Sequence, residues 1–466
     1  MSLLIRLGVA VLLVLLAAHG LGVLPPRLPL PELVQAAGVL DQARGADAAA
    51  VVYDAVASRV AELRGLTPRQ PVQRTVLTAE QFRARLIDDL NKEDSLESIE
   101  NSRKLMVALG LLAPDVDLYS LELEFRSGVV LGQYDPETKQ LYVISSATEP
   151  GPLERVTYAH EYTHALQDQY YDIRALMPKN SDNSDRDLAI SALLEGDALI
   201  IEEMYQTQAM TRAEREEKTR QERALGSSLN LDRLPLVILE ETYFPYQEGP
   251  RFIVNVLGRP AIQEALQNGT GYGPRINRLF ENPPKSSAQI LHPEKYLNGI
   301  DPVEVRLPDL AAALGEDWKQ LRTDLLGEID HRILIQQFLS RDLAERAAAG
   351  WAGDRFALLG RGDEVAVVVS SRWESAADAQ EWFDAYAQAV RARYGSRLAV
   401  ADQRANRIVW RTPDGLQLLS VAGTSTTILI AQTPEQIASL ERALGASEAS
   451  GLGPAGIPAP AAVPGR

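Results

Sequence analysis

The 466-residue chain contains no cysteine. Disulfides, iron–sulfur clusters, cysteine nucleophiles, Cys-ligated zinc and lipid-modified cysteine are excluded with it. Histidine is nearly as scarce: only His19, His160, His164, His292 and His331 can carry imidazole chemistry. Basic residues are also in deficit, with 47 Lys and Arg against 63 Asp and Glu, a net charge of −16. Nucleic acid is therefore not an expected partner, because phosphate binding needs a surplus of Lys and Arg. What is present suits a globular protein. The hydrophobic fraction is 45%, which excludes disorder throughout, and the length suits two or three domains.

Residues 7–24 form an apolar run, preceded by Arg6 and ended by Pro25-Pro26. About 18–20 such residues span a bilayer. A small-x-small cleavage site is poor, Ala18-His19-Gly20 being the best candidate, so the expectation is an uncleaved anchor at 1–24 rather than a removed signal peptide. Arg6 then stays cytoplasmic and the bulk of the chain lies outside the cell membrane. Secretion after cleavage is the alternative.

The expected fold class is α+β. A helical region is expected at 25–110, with Thr78 and Gln81 forming a capping box for a helix from Ala79. A central domain is expected at 111–350. It opens with a hairpin whose strands are 129–131 and 141–144 around the turn 135–139. Gly151-Pro152 then starts a helix running to about Tyr171. One long helix is expected over 186–223, with its charged end, 212–223, a solvated face. A small α+β module is expected at 351–445, with strands at 365–369, 408–411, 416–421 and 427–431 and helices at 378–394 and 434–444. The Ala-, Gly- and Pro-rich tail 446–466 reads as disordered.

The chemistry lies in Thr157-Tyr158-Ala159-His160-Glu161-Tyr162-Thr163-His164-Ala165-Leu166. His160 and His164, four apart on a helix, lie one turn apart on one face and can reach one metal ion. Glu161 is about 100° round the helix from His160. It is placed to meet a water on the metal and take its proton, rather than to bind the metal.

This segment resembles the zincin metallopeptidases, whose extended His-Glu-x-x-His pattern it matches throughout. The third His of the longer zincin form is absent, so the resemblance is to the gluzincin branch and implies a carboxylate as third zinc ligand. Glu195, in Leu193-Leu194-Glu195-Gly196-Asp197 on a second helix, is that residue, with Asp168, Asp197 and Glu202 as competitors. Asp168 is the residue expected to orient an imidazole. The resemblance also implies an edge strand before the motif helix for an extended substrate, and a His or Tyr that stabilises the oxyanion. His292 is assigned that catalytic role, with Tyr243 and Tyr246 behind it; His331 is read as structural. The hairpin, the motif, Leu194-Glu195-Gly196-Asp197-Ala198 and Ile290-Leu291-His292-Pro293 together resemble a set of uncharacterised exported bacterial proteins of gluzincin type.

The expected function is therefore peptide-bond hydrolysis by a zinc metallopeptidase, with His160, His164 and Glu195 on Zn²⁺, Glu161 as general base and a peptide or protein as substrate. The alternatives are an exported scaffold or chaperone-like protein that keeps zinc without turnover, and a self-processing precursor whose residues 25–110 shield the cleft.

Overall fold

The structure is a computed structural model that describes residues 39–147, 149–228 and 234–449. The apolar run 7–24 and the tail beyond 449 lie outside the described residues. None of the helices among the described residues is long and apolar enough to cross a membrane.

The fold is α+β with two sheets. The first has three strands in the order β1-β3-β2: β1 (Gln73–Leu77) runs parallel to β3 (Gln140–Ile144), and β2 (Gly132–Asp135) pairs antiparallel with β3 as an edge. The expected first hairpin strand at 129–131 is displaced. Val129 closes the helix Leu118–Val129, which buries Leu118, Leu123 and Phe125, so the strand starts only at Gly132. The capping box at Thr78 and Gln81 forms.

The motif helix, Pro152–Tyr171, begins with Pro at its first turn and is buried continuously from Val156 to Asp168. It is enclosed by the helix Val39–Arg64, by β2, and by the ligand helix Ser184–Ala209. The single helix expected over 186–223 is two. Met210 is extended, and Thr211 restarts the chain as a reciprocal cap: its N–H donates to Glu214 Oε2 (2.7 Å) and its Oγ1 accepts from Glu214 N (3.3 Å). The resulting helix, Arg212–Ser228, is not simply a solvated face. It packs on the motif helix and buries Lys218 and Glu222.

The helix Leu236–Leu257 crosses the ligand helix at two glycines. A Cβ at Gly249 would overlap the Ala192 carbonyl, and one at Gly196 would fall on the Gly249 backbone. The residue after Glu195 thus lies at the closest approach of the two helices.

The second sheet is antiparallel, in the order β4-β5-β6-β10-β9-β8-β7: β4 (Lys319–Asp324), β5 (Trp351–Arg361), β6 (Glu364–Trp373), β7 (Ala399–Arg404), β8 (Arg407–Thr412), β9 (Gly415–Ala422) and β10 (Ser425–Ala431). The helix Ala376–Tyr394 covers one face, with Trp373 and Trp382 rings 5.3 Å apart. The helix Pro434–Ala449 covers the other, its Leu440 in one apolar cluster with Leu418 and Leu429 of the sheet. The sheet takes in β4, upstream of residue 351 where the sequence starts this module. The closing helix runs past Gly445 to Ala449. His331, read as structural, is buried between Gly327 O (2.9 Å) and Ser371 Oγ (2.8 Å). Asp354 satisfies the N–H groups of Leu326 and Gly327 at 2.9 Å each, joining this sheet to the helix Gly327–Gln336.

Candidate metal centre

His160 and His164 turn their Nε2 atoms toward each other, 3.1 Å apart, with ring centroids 4.8 Å apart and planes at 79°. Glu195 Oε2 lies 3.0 Å from His160 Nε2 and 3.5 Å from His164 Nε2. Among the described residues this is the one group of three whose ligand atoms come together so closely. All three are buried, His164 completely.

Two imidazole lone pairs and a carboxylate oxygen facing one another in a buried space repel unless a cation sits among them. In the metal-free protein a proton takes that role. Burial opposes charge on His160, but the carboxylates of Glu195 and Glu202 outweigh it and raise its pKa well above the usual value. Burial likewise opposes charge on Glu195, yet the two imidazoles pull its pKa down to about 2. The donor set therefore fits a divalent metal of zinc's kind, which accepts imidazole nitrogen and carboxylate oxygen.

This electrostatic state predicts a pH dependence. Any metal held there must displace the proton that the raised His160 pKa keeps, so for zinc the expected affinity falls about tenfold per pH unit as the pH drops below that pKa. Competition with a chromophoric chelator from about pH 8 to about pH 5.5 measures it. An affinity constant across that range would contradict the assignment.

The outer nitrogens are held too. His164 Nδ1 is 2.8 Å from Gln167 Oε1, and Gln167 Nε2 donates to Leu194 O (3.0 Å) and Asp197 Oδ2 (2.9 Å). Asp197 pairs with the buried Arg64 (Nε to Oδ2, 2.8 Å). On the other side Glu202 Oε2 lies 3.4 Å from His160 Nδ1, with Lys218 Nζ 3.6 Å from its Oε1. Neither Asp197 nor Glu202 joins the group formed by the two Nε2 atoms and Glu195.

Glu161 Oε2 accepts the backbone N–H of Tyr134 at 2.7 Å, and burial raises its pKa. This contact needs Gly132: a Cβ there would lie 2.7 Å from Thr157 Cγ2 and 3.1 Å from Glu161 Cγ, so only glycine lets β2 rest flush on the motif helix.

One expected role, that of Asp168, changes. Asp168 does not orient an imidazole; it accepts from Tyr134 Oη, Lys139 Nζ (2.7 Å each) and Ile173 N (3.0 Å), fastening the hairpin to the motif helix. Gln167, one residue earlier, reaches the ring instead. His292 gives its Nε2 to Glu328 (2.7 Å), and no hydrogen bond or ion pair among the described residues joins it to His160, Glu161, His164 or Glu195. Its helix, Ser287–Leu291, is tied by Ser287 N to Asp185 Oδ1 (3.0 Å), ten residues before Glu195 and so about 15 Å along the ligand helix. Gln167 and Arg64 are the contributors that sequence reasoning missed. Gln167 stands at i+3 from His164, a spacing that could have flagged it. Nothing local flags Arg64.

Residues 316–441 match the model of a family described as a domain of unknown function, DUF8575. No curated protein and no solved structure matches the chain. The match spans the seven strands of the second sheet and stops short of the His160–His164–Glu195 group, whose chemistry must therefore be argued from its own geometry.

Proposed function

We propose that this chain is a zinc-dependent peptidase of gluzincin type. The observation that supports it is the buried convergence of His160 Nε2, His164 Nε2 and Glu195 Oε2, with Glu161 on the same helix lying against an edge strand. Zinc held there supplies a Lewis acid that polarises a peptide carbonyl and acidifies water. Glu161, its pKa raised by burial, takes a proton from the attacking water and passes it to the leaving amine. β2 pairs with β3 on one side only; its Tyr134 N–H is taken by Glu161, and the remainder of that outer edge is where an extended peptide would add. The apolar run 7–24 makes a membrane-anchored, extracytoplasmic enzyme, or a secreted one, part of the proposal.

A second reading, a zinc-keeping scaffold without turnover, has one observation in its favour: His160, Glu161, His164 and Glu195 are all buried. The deciding experiment strips the full chain with a chelator, restores zinc and presents a peptide library, with products read by mass spectrometry. We expect cleavage that depends on zinc. Zinc bound without any cleavage would establish the scaffold, and no zinc bound would dismiss both.

A further inference from the structure

The hydrogen-bond chain behind His164 has only one polarity. A guanidinium can only donate, and Arg64, the last residue of the helix Val39–Arg64, donates through Nε to Asp197 Oδ2. That carboxylate accepts from Gln167 Nε2 as well, and the Leu194 carbonyl, another obligate acceptor, takes from the same amide nitrogen. With both amide hydrogens directed at acceptors, Gln167 must present Oε1 to the ring of His164. His164 Nδ1 must then carry the hydrogen, and the lone pair is left on Nε2, the atom that faces His160 and Glu195.

We propose that Arg64 is a positioning residue for the metal ligand His164: acting through Asp197 and Gln167, it fixes the Nδ1–H tautomer that makes Nε2 a ligand. The proposal rests on the metal-site reading above and extends it to the amino-terminal helix. Arg64 also packs in the core, over the Phe280 ring and with Nη1 2.8 Å from Asn277 Oδ1, so stability alone cannot test the role.

The tautomer can. The full chain is labelled with ¹⁵N-histidine and its imidazoles are read by long-range ¹H–¹⁵N correlation in the metal-free state; five His give few signals. In the wild type we expect His164 in the Nδ1–H form. An Nε2–H form there overturns the proposal before any variant is made. In Arg64→Met with Asp197→Asn, a neutral pair that leaves no buried charge unpaired, residue 197 can donate as well as accept, and of the two acceptors that hold the Gln167 amide only Leu194 O remains obligate. We expect mixed tautomers and zinc affinity about 10- to 100-fold weaker, while Arg64→Lys keeps a cationic donor and the Nδ1–H form. A folded double variant with unchanged tautomer and zinc affinity overturns the proposal. The tautomer readout needs no metal, so failure of the wild type to bind zinc would sink the peptidase reading and leave this test standing.

Discussion

Glu161→Gln is expected to leave zinc content unchanged and to reduce peptide cleavage by about 10²- to 10⁴-fold, the range associated with loss of a general base. At the upper end this is about 5.5 kcal/mol of transition-state stabilisation. Glutamine keeps the shape of the side chain, and its amide oxygen can still accept the Tyr134 N–H that now bonds to Glu161 Oε2. The hairpin therefore stays on the motif helix. An amide oxygen, however, cannot take a proton from water near neutral pH. The substitution also removes a carboxylate whose charge is opposed by burial, so the variant should unfold at the same temperature as the wild type or a higher one. Steady-state cleavage, zinc analysis and thermal unfolding on one preparation give the complete result. Full zinc occupancy with undiminished cleavage would remove Glu161 as the base.

Glu195→Ala should act on the metal rather than on the proton. Complete zinc sites in small domains bind with about 10–16 kcal/mol, so one ligand in three or four carries roughly 3–4 kcal/mol, an affinity loss of about 10²- to 10³-fold. His160→Ala should lose a comparable amount. Without metal the same carboxylate is an ion-pair partner. Its folded pKa of about 2 lies below the ordinary 4.5, so its contribution to stability is present above the ordinary value and lost as the pH falls through about 2. Metal-free Glu195→Ala is therefore less stable than metal-free wild type at neutral pH, and zinc rescues it poorly. Zinc titration by calorimetry checks the first part and chelator-treated thermal scans check the second. Undiminished zinc affinity would move the third ligand elsewhere, with Glu202, 3.4 Å from His160 Nδ1, the nearest other carboxylate oxygen in ion-pair contact with that ring.

The centre of the site was legible because its signals are local. His160, Glu161 and His164 share one helix, Pro152 marks where that helix starts, and Glu195 stands out as an acid among Leu193, Leu194 and Gly196. The surroundings were not, because they are fixed by distant chain. Asp168 and Gln167 are adjacent, and only the tertiary fold decides that the first fastens Tyr134 and Lys139 while the second reaches His164. His292, read as the spare imidazole, has a partner in Glu328, 36 residues on, that no local pattern announces. In the second sheet, β4, β5 and β7 went unread, and for β4 and β7 the reason is physical. They are its two edges, and their sequences, Lys319-Gln320-Leu321-Arg322-Thr323-Asp324 and Ala399-Val400-Ala401-Asp402-Gln403-Arg404, carry the polar residues that protect an edge and hide the alternation that marks an inner strand. The break before Arg212 was readable in principle as Thr211-x-x-Glu214.

The bonds that complete the centre bridge long stretches of chain: 133 residues from Arg64 to Asp197 and 213 from Arg64 to Asn277. Closures of this span form late in folding, after local helices have appeared. A growing chain that has just produced His160 and His164 has the motif but neither the carboxylate nor the brace behind His164. Any loading with metal must follow synthesis through Asp197, and a fragment cut before Glu195 should hold zinc as loosely as a short peptide does. The long-range wiring thus acts as a timer, keeping the motif inert until its neighbours have arrived.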